Sequence, residues 1–237
     1  MTHARTWMRL LCAATVLIFV SCNSGTDKQA KADSTPPAAA PTPAPLKEEV
    51  LVKLKMTNFA KWKMNYDQDQ ANRAAAGLHD HIVGRGSEDS NTVFLVLYMD
   101  DTAKAKAFGA DPKLKDKMKQ SGVVGAPEVN YVHRVMTDTT AGGASMDRLL
   151  IRHKVKDFDT WKKVFDDHKQ ARMDAGLADR MLGYSIDNRN DVTIVMAITD
   201  QAKAKAFMNS KDLADKMKAG GVEGTPSFFF YHTVEKK

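Results

Sequence analysis

Polar and apolar residues alternate along EVLVKLKM (49–56), and the same period of two returns in RLLIRHKV (148–155). Each stretch reads as a strand with one buried face. The period then changes: Phe158, Trp161, Val164 and Phe165 fall on one face of a helix. Asn58 and Asp157 stand where N-caps belong, and Gly77 and Gly176 can end the helix in the left-handed conformation. HIVGRG (81–86) and RMLGYS (180–185) predict second strands. Turns at Ser90-Asn91 and Arg189-Asn190 lead into third strands, TVFLVLYM (92–99) and VTIVMAI (192–198). A helix built on AKAKAF, with a break expected near Pro112, runs through DKMK to Gly122 or Gly221. EVNYVHRV (128–135) and SFFFYHTV (227–234) are the last strands.

This order, β-α-β-β-α-β, occurs twice because the chain repeats itself. From Leu51 it can be laid on itself at an offset of 99 without a gap, and 33 of 85 aligned positions are identical. AKAKAF stands at Ala103–Phe108 and at Ala202–Phe207. A repeat of this length is a duplicated domain rather than a solenoid unit. The expected divisions are repeat 1 at 48–136, a linker at 137–147 and repeat 2 at 148–237.

The split β-α-β-β-α-β unit is ferredoxin-like and leaves one sheet face needing cover. The predicted class is α+β, with the two tandem repeats closing into an intramolecular dimeric α+β barrel. Four motifs carry a further resemblance. They are F-x-x-W (Phe59/Trp62, Phe158/Trp161), R-x-x-x-G-L (Arg73–Leu78, Arg172–Leu177), the A-x-A-F helix and G-V-x-G-x-P before the last strand. With these the chain resembles the dimeric α+β barrel superfamily, in its antibiotic-biosynthesis-monooxygenase-like and cyclase-like branches. That superfamily includes cofactor-independent monooxygenases, haem-degrading enzymes and cyclases. No complete catalytic set of theirs matches here residue by residue, so the resemblance implies a fold and no particular reaction.

The first residues change the picture of where the protein works. Arg5 and Arg9 precede the apolar run LLCAATVLIFV (10–20), and Ser21-Cys22 follow. Eleven residues span about 16 Å as helix, short of a hydrocarbon core of about 30 Å, so the segment reads as a signal. FVSC resembles a bacterial lipoprotein signal, which implies removal of 1–21 and lipidation of Cys22. The expected location is then the cell envelope, at the outer membrane facing the periplasm. Residues 22–47, rich in Pro, Ala, Ser and Thr, read as a disordered tether. The other cysteine, Cys12, lies inside the signal, so no internal disulfide is expected. The net charge of +6 is spread over lysines that alternate with apolar residues, a solvated face rather than a nucleic-acid site.

Candidate chemistry is sparse. His133 and His232 could move protons if the last strands turn them into the barrel. Arg73 and Arg172 could hold an anionic group, or complement the helix end instead. Trp62 and Trp161 are core residues or a cavity wall. Lys53/Lys55 and Arg152/Lys154 either line the barrel or reach water at its end. His79-x-His81 lacks a third ligand, so no metal is expected, and no motif calls for a cofactor. The leading expectation is a lipid-anchored, monomeric pseudo-dimer that binds a small molecule in its barrel. The alternatives are a monooxygenase- or cyclase-like enzyme for an aromatic or polyketide-like substrate, and a ligand-free interaction module.

Overall fold

The computed structural model describes residues 48–237; the signal-like segment, Cys22 and the stretch at 22–47 lie outside the described residues. Repeat 1 runs β1 (Glu48–Met56), α1 (Phe59–Gln68), α2 (Gln70–Ala75), β2 (Leu78–Gly86), β3 (Thr92–Met99), α3 (Thr102–Ala110), α4 (Pro112–Gln120) and β4 (Val123–Thr137). Repeat 2 runs β5 (Asp147–Val155), α5 (Phe158–Asp167), α6 (Lys169–Asp174), β6 (Leu177–Ser185), β7 (Asn188–Ile198), α7 (Gln201–Met208), α8 (Lys211–Ala219) and β8 (Val222–Lys236).

Local chemistry accounts for these boundaries. Asn58 and Asp157 accept the N–H of Lys61 and Thr160 and open α1 and α5. Gly77 and Gly176 take φ of 72° and 71° on the way into β2 and β6. The AKAKAF helices end at Asp111 in repeat 1 and at Asn209-Ser210 in repeat 2. Asp111 and Ser210 then cap the next helix with their own side chains. The break near Pro112 therefore recurs in repeat 2 without a proline, because a cap at the same place suffices. The last strands begin earlier than the alternation predicts, at Val123 and Val222. Their first residues pair with the ends of β1 and β5 across register shifts at Lys53/Lys55 and Arg152/Lys154. Gly125 and Gly224, at φ of 71° and 66°, make the irregularity possible.

The eight strands close in the order β1-β3-β2-β8-β5-β7-β6-β4. Closure depends on an exchange: β4 pairs with β1 and also with β6, while β8 pairs with β5 and also with β2. Chains approach closely at both crossings. A Cβ on Gly84 would lie 2.5 Å from the Tyr231 ring, and one on Gly183 would lie 2.5 Å from Val132 and 2.6 Å from the His133 carbonyl.

The barrel encloses packed side chains. Leu51, Phe94, Val132, Leu150, Met181 and Tyr231 form one interior cluster, with Phe94 and Tyr231 each 1% exposed. Two residues further along the same strand faces, buried Glu49 and Arg134 form an ion pair of 3.1 Å. Burial pushes the Glu49 carboxyl up, Arg134 pulls it back, and the balance stands at about 7. In the other direction, Lys53 and Arg152 both reach Glu128 at 2.6 Å. They share the interior strand face, at one end of the barrel. Large side chains from both halves thus meet in the middle of the barrel, where the small-molecule cavity was expected.

Candidate functional site

The space lies on the other face of the sheet. In repeat 1 a cavity of about 1240 Å³ separates β1 and β3 from the helices. Val50, Val52, Leu54, Leu95 and Leu97 make its floor; Trp62, Tyr66, Phe108 and Met118 make its cover. The equivalent space in repeat 2 measures about 70 Å³.

The offset of 99 explains the difference position by position. Val50 becomes Leu149, Val52 becomes Ile151, Gly109 becomes Met208 and Val129 becomes Phe228. All four larger residues line the small remnant. The polar groups change in step. Tyr66, Tyr131, Asn65 and Asn72 line the hollow copy, and their counterparts are Phe165, Phe230, Val164 and Ala171. Repeat 2 is thus filled where repeat 1 keeps hydroxyls and amides around an open cleft, although His153 stands in its lining in place of Leu54.

Arg73 and Arg172 do the same job in both copies. Arg73 donates to both oxygens of Asp80 at 2.8 and 2.7 Å and to the Tyr66 carbonyl at 2.5 Å, with its guanidinium 3.6 Å from the Tyr66 ring centre. Arg172 donates to Asp179 at 2.9 and 2.6 Å and to the Phe165 carbonyl at 2.5 Å. Each ties its helix end to the following strand. In repeat 1 the Tyr66 hydroxyl also donates to Asp80 at 2.7 Å. Burial alone raises the Asp80 carboxyl, but the hydrogen bonds from Arg73, Tyr66 and Lys237 outweigh it and bring it down to about 2. Burial raises the Tyr66 hydroxyl.

Trp62 and Trp161 are 3% and 4% exposed. Trp62 stacks on Tyr66 at 5.0 Å and walls the cavity. Trp161 meets Phe165 at 5.0 Å and the edge of His153 at 5.3 Å in the filled copy. The His153 nitrogens are buried with no hydrogen-bond partner, and burial holds this imidazole down to about 4.

His133 and His232 face away from the barrel. Tyr231 and Thr233 take the interior phase of β8, and Val132 and Arg134 that of β4. Both histidines are about half exposed, pairing with Glu48 at 3.4 Å and Asp147 at 2.8 Å. Neither lines the cleft of either repeat. His79 contacts Asp100 at 2.7 Å, and His81 the Lys237 carbonyl at 3.3 Å, so the two rings have separate partners. Among the described residues no group of three His, Cys, Asp or Glu is placed to hold a metal ion, and no helix is long and apolar enough to cross a membrane.

No protein-family model and no curated protein matches the chain. Solved structures do. An anthrone oxidase-like protein is 13% identical over 81% of this chain and 92% of its own, with a TM-score of 0.53. A candidate monooxygenase from Fusobacterium nucleatum subsp. nucleatum is 10% identical over 81% of this chain and 94% of its own, at 0.50. A heme-binding protein from Thermus thermophilus is 8% identical over 80% and 92%, also at 0.50. At these identities the likeness is one of fold: the chain has a ferredoxin-like α+β barrel, as these structures do.

Proposed function

We propose that this is an exported, lipid-anchored envelope protein that binds a small organic molecule in the helix–sheet cleft of repeat 1. One observation carries the binding reading: equivalent sites measure about 1240 and 70 Å³, and the larger keeps the polar wall. A cleft of this size is large enough for an organic ligand, whose pockets typically measure roughly 300–1,000 Å³. Export and the anchor at Cys22 rest on the signal-like segment at 1–22.

Gly109 is the position to test. Its counterpart Met208 helps to fill repeat 2, and Gly109 lines the cleft in a helix, where a Cβ would meet only the Tyr131 hydroxyl, at 3.3 Å, so Gly109→Met places a side chain against the cleft wall. In native mass spectrometry of the exported full chain, wild type should retain a small-molecule mass that Gly109→Met loses. Retention of the same mass by the variant overturns the reading.

A second reading, oxygenation of an aromatic substrate in the same cleft, takes its support from the shape shared with the anthrone oxidase-like protein. It needs a proton-accepting group at the cavity wall, and His133 and His232 point elsewhere. Turnover that survives Gly109→Met would remove it.

A further inference from the structure

The cleft of repeat 1 has a charge as well as a shape. Its floor is apolar, but the residues around it that carry charge at neutral pH are Lys115, Lys117, Lys119 and Arg73, against one carboxylate, Asp69. Two of the four cations are already engaged: Lys117 pairs with Asp69 and Arg73 with Asp80. Lys115 and Lys119 are exposed and have no ion-pair partner among the described residues. Two uncompensated ammonium groups thus stand at the mouth of an apolar cavity.

A basic helix face alone is ordinary solvated surface, so the second copy is the control. The α4 sequence, PKLKDKMKQ, carries four lysines and one aspartate; that of α8, KDLADKMKA, carries three lysines and two aspartates. Repeat 1 is the more basic at two positions, Lys113, which becomes Asp212, and Lys115, which becomes Ala214; at a third, Pro112 becomes Lys211 and offsets part of the difference. The added charge belongs to the copy that is hollow, and one of the two positions lines its mouth. Resting on the cleft reading above, we infer that the ligand is an amphipathic anion, an apolar aromatic or acyl body that ends in one carboxylate. The body lies on the sheet beneath Trp62 and Phe108. The carboxylate stays at the open edge beside Lys115 and Lys119, where neither partner has to give up its water.

Two fluorescent probes separate charge from shape. 1-Anilinonaphthalene-8-sulfonate and N-phenyl-1-naphthylamine share their rings, and only the first is an anion, its sulfonate standing in for the carboxylate. Both are titrated into the full chain at low salt. The double variant Lys115→Gln/Lys119→Gln should weaken the anionic probe by roughly tenfold and leave the neutral one unchanged. The difference should shrink at ~0.5 M salt. Equal effects on both probes, or none on either, overturn the inference. If Gly109→Met abolishes both probes, the cleft reading stands whatever the lysines do; if it leaves both unchanged, the cleft reading falls and this inference with it. Displacement of the anionic probe by laurate or by 2-naphthoate identifies an acyl or an aromatic body. Displacement by neither counts against the inference.

Discussion

Repeat 1 and repeat 2 share a strand order, a tryptophan under the first helix and an arginine–aspartate tie, yet they bury different things. Repeat 2 sets Phe165 against Trp161 and closes its cleft with Leu149, Ile151, Met208 and Phe228. Repeat 1 leaves the same region open and ringed by Tyr66, Tyr131 and amides. The barrel between them is packed from both sides. A fold's shared skeleton therefore says where a site can be, and side-chain volume over a handful of positions decides whether it exists.

The largest expected effect concerns the arginine ties. Arg172→Met strands Asp179 in a buried setting and should cost about 3–5 kcal/mol in urea denaturation. Arg73→Met should cost less, because Asp80 keeps the Tyr66 hydroxyl and Lys237, at 3.2 Å. Equal losses would mean that the repeats are supported alike. The Asp80 carboxyl, held at about 2, contributes stability above its ordinary value of 3.8 that disappears as pH falls toward 2.

Next come the crossing glycines. Gly183→Ala meets a backbone carbonyl at 2.6 Å, whereas Gly84→Ala meets mainly the Tyr231 ring at 2.5 Å, which can shift. Melting temperatures should show Gly183→Ala as the worse, in a range of about 1–3 kcal/mol. The reverse order would place the weaker seam at β4–β6.

His153→Leu, which copies Leu54 into repeat 2, should stabilise by about 1 kcal/mol at pH 7 by removing two orphaned buried nitrogens. His153 is held at about 4, below its ordinary 6.5, so the unfolded chain takes up the proton first. Wild type should lose stability as pH falls from 6.5 toward 4, and the variant should lose less. Parallel pH profiles would rule out His153 as the cause.

Much of the fold was legible in the sequence because alternation, caps and helix-ending glycines are local signals, and the repeat displayed each of them twice. The first residues of β4 were not: Gly125 and Pro127 read as loop, and only pairing with β1 across a bulge makes them strand. The faces of the last strands were harder still. His133 and Tyr131 alternate correctly, but which face points inward depends on the partner strand. The hollow was written in the repeat itself, as Gly109 against Met208 and Tyr66 against Phe165. Reading it requires knowing that those positions meet across a helix–sheet gap, which no periodicity reveals.

The segment between Thr137 and Asp147 makes two halves one molecule. If each half were a separate, identical chain, any substitution would be written into both clefts at once, and a change that firmed one would close the other. A single covalent chain lifts that obligation. One cleft is free to become ballast while the other answers to a ligand, so the join can be seen as a licence for asymmetry.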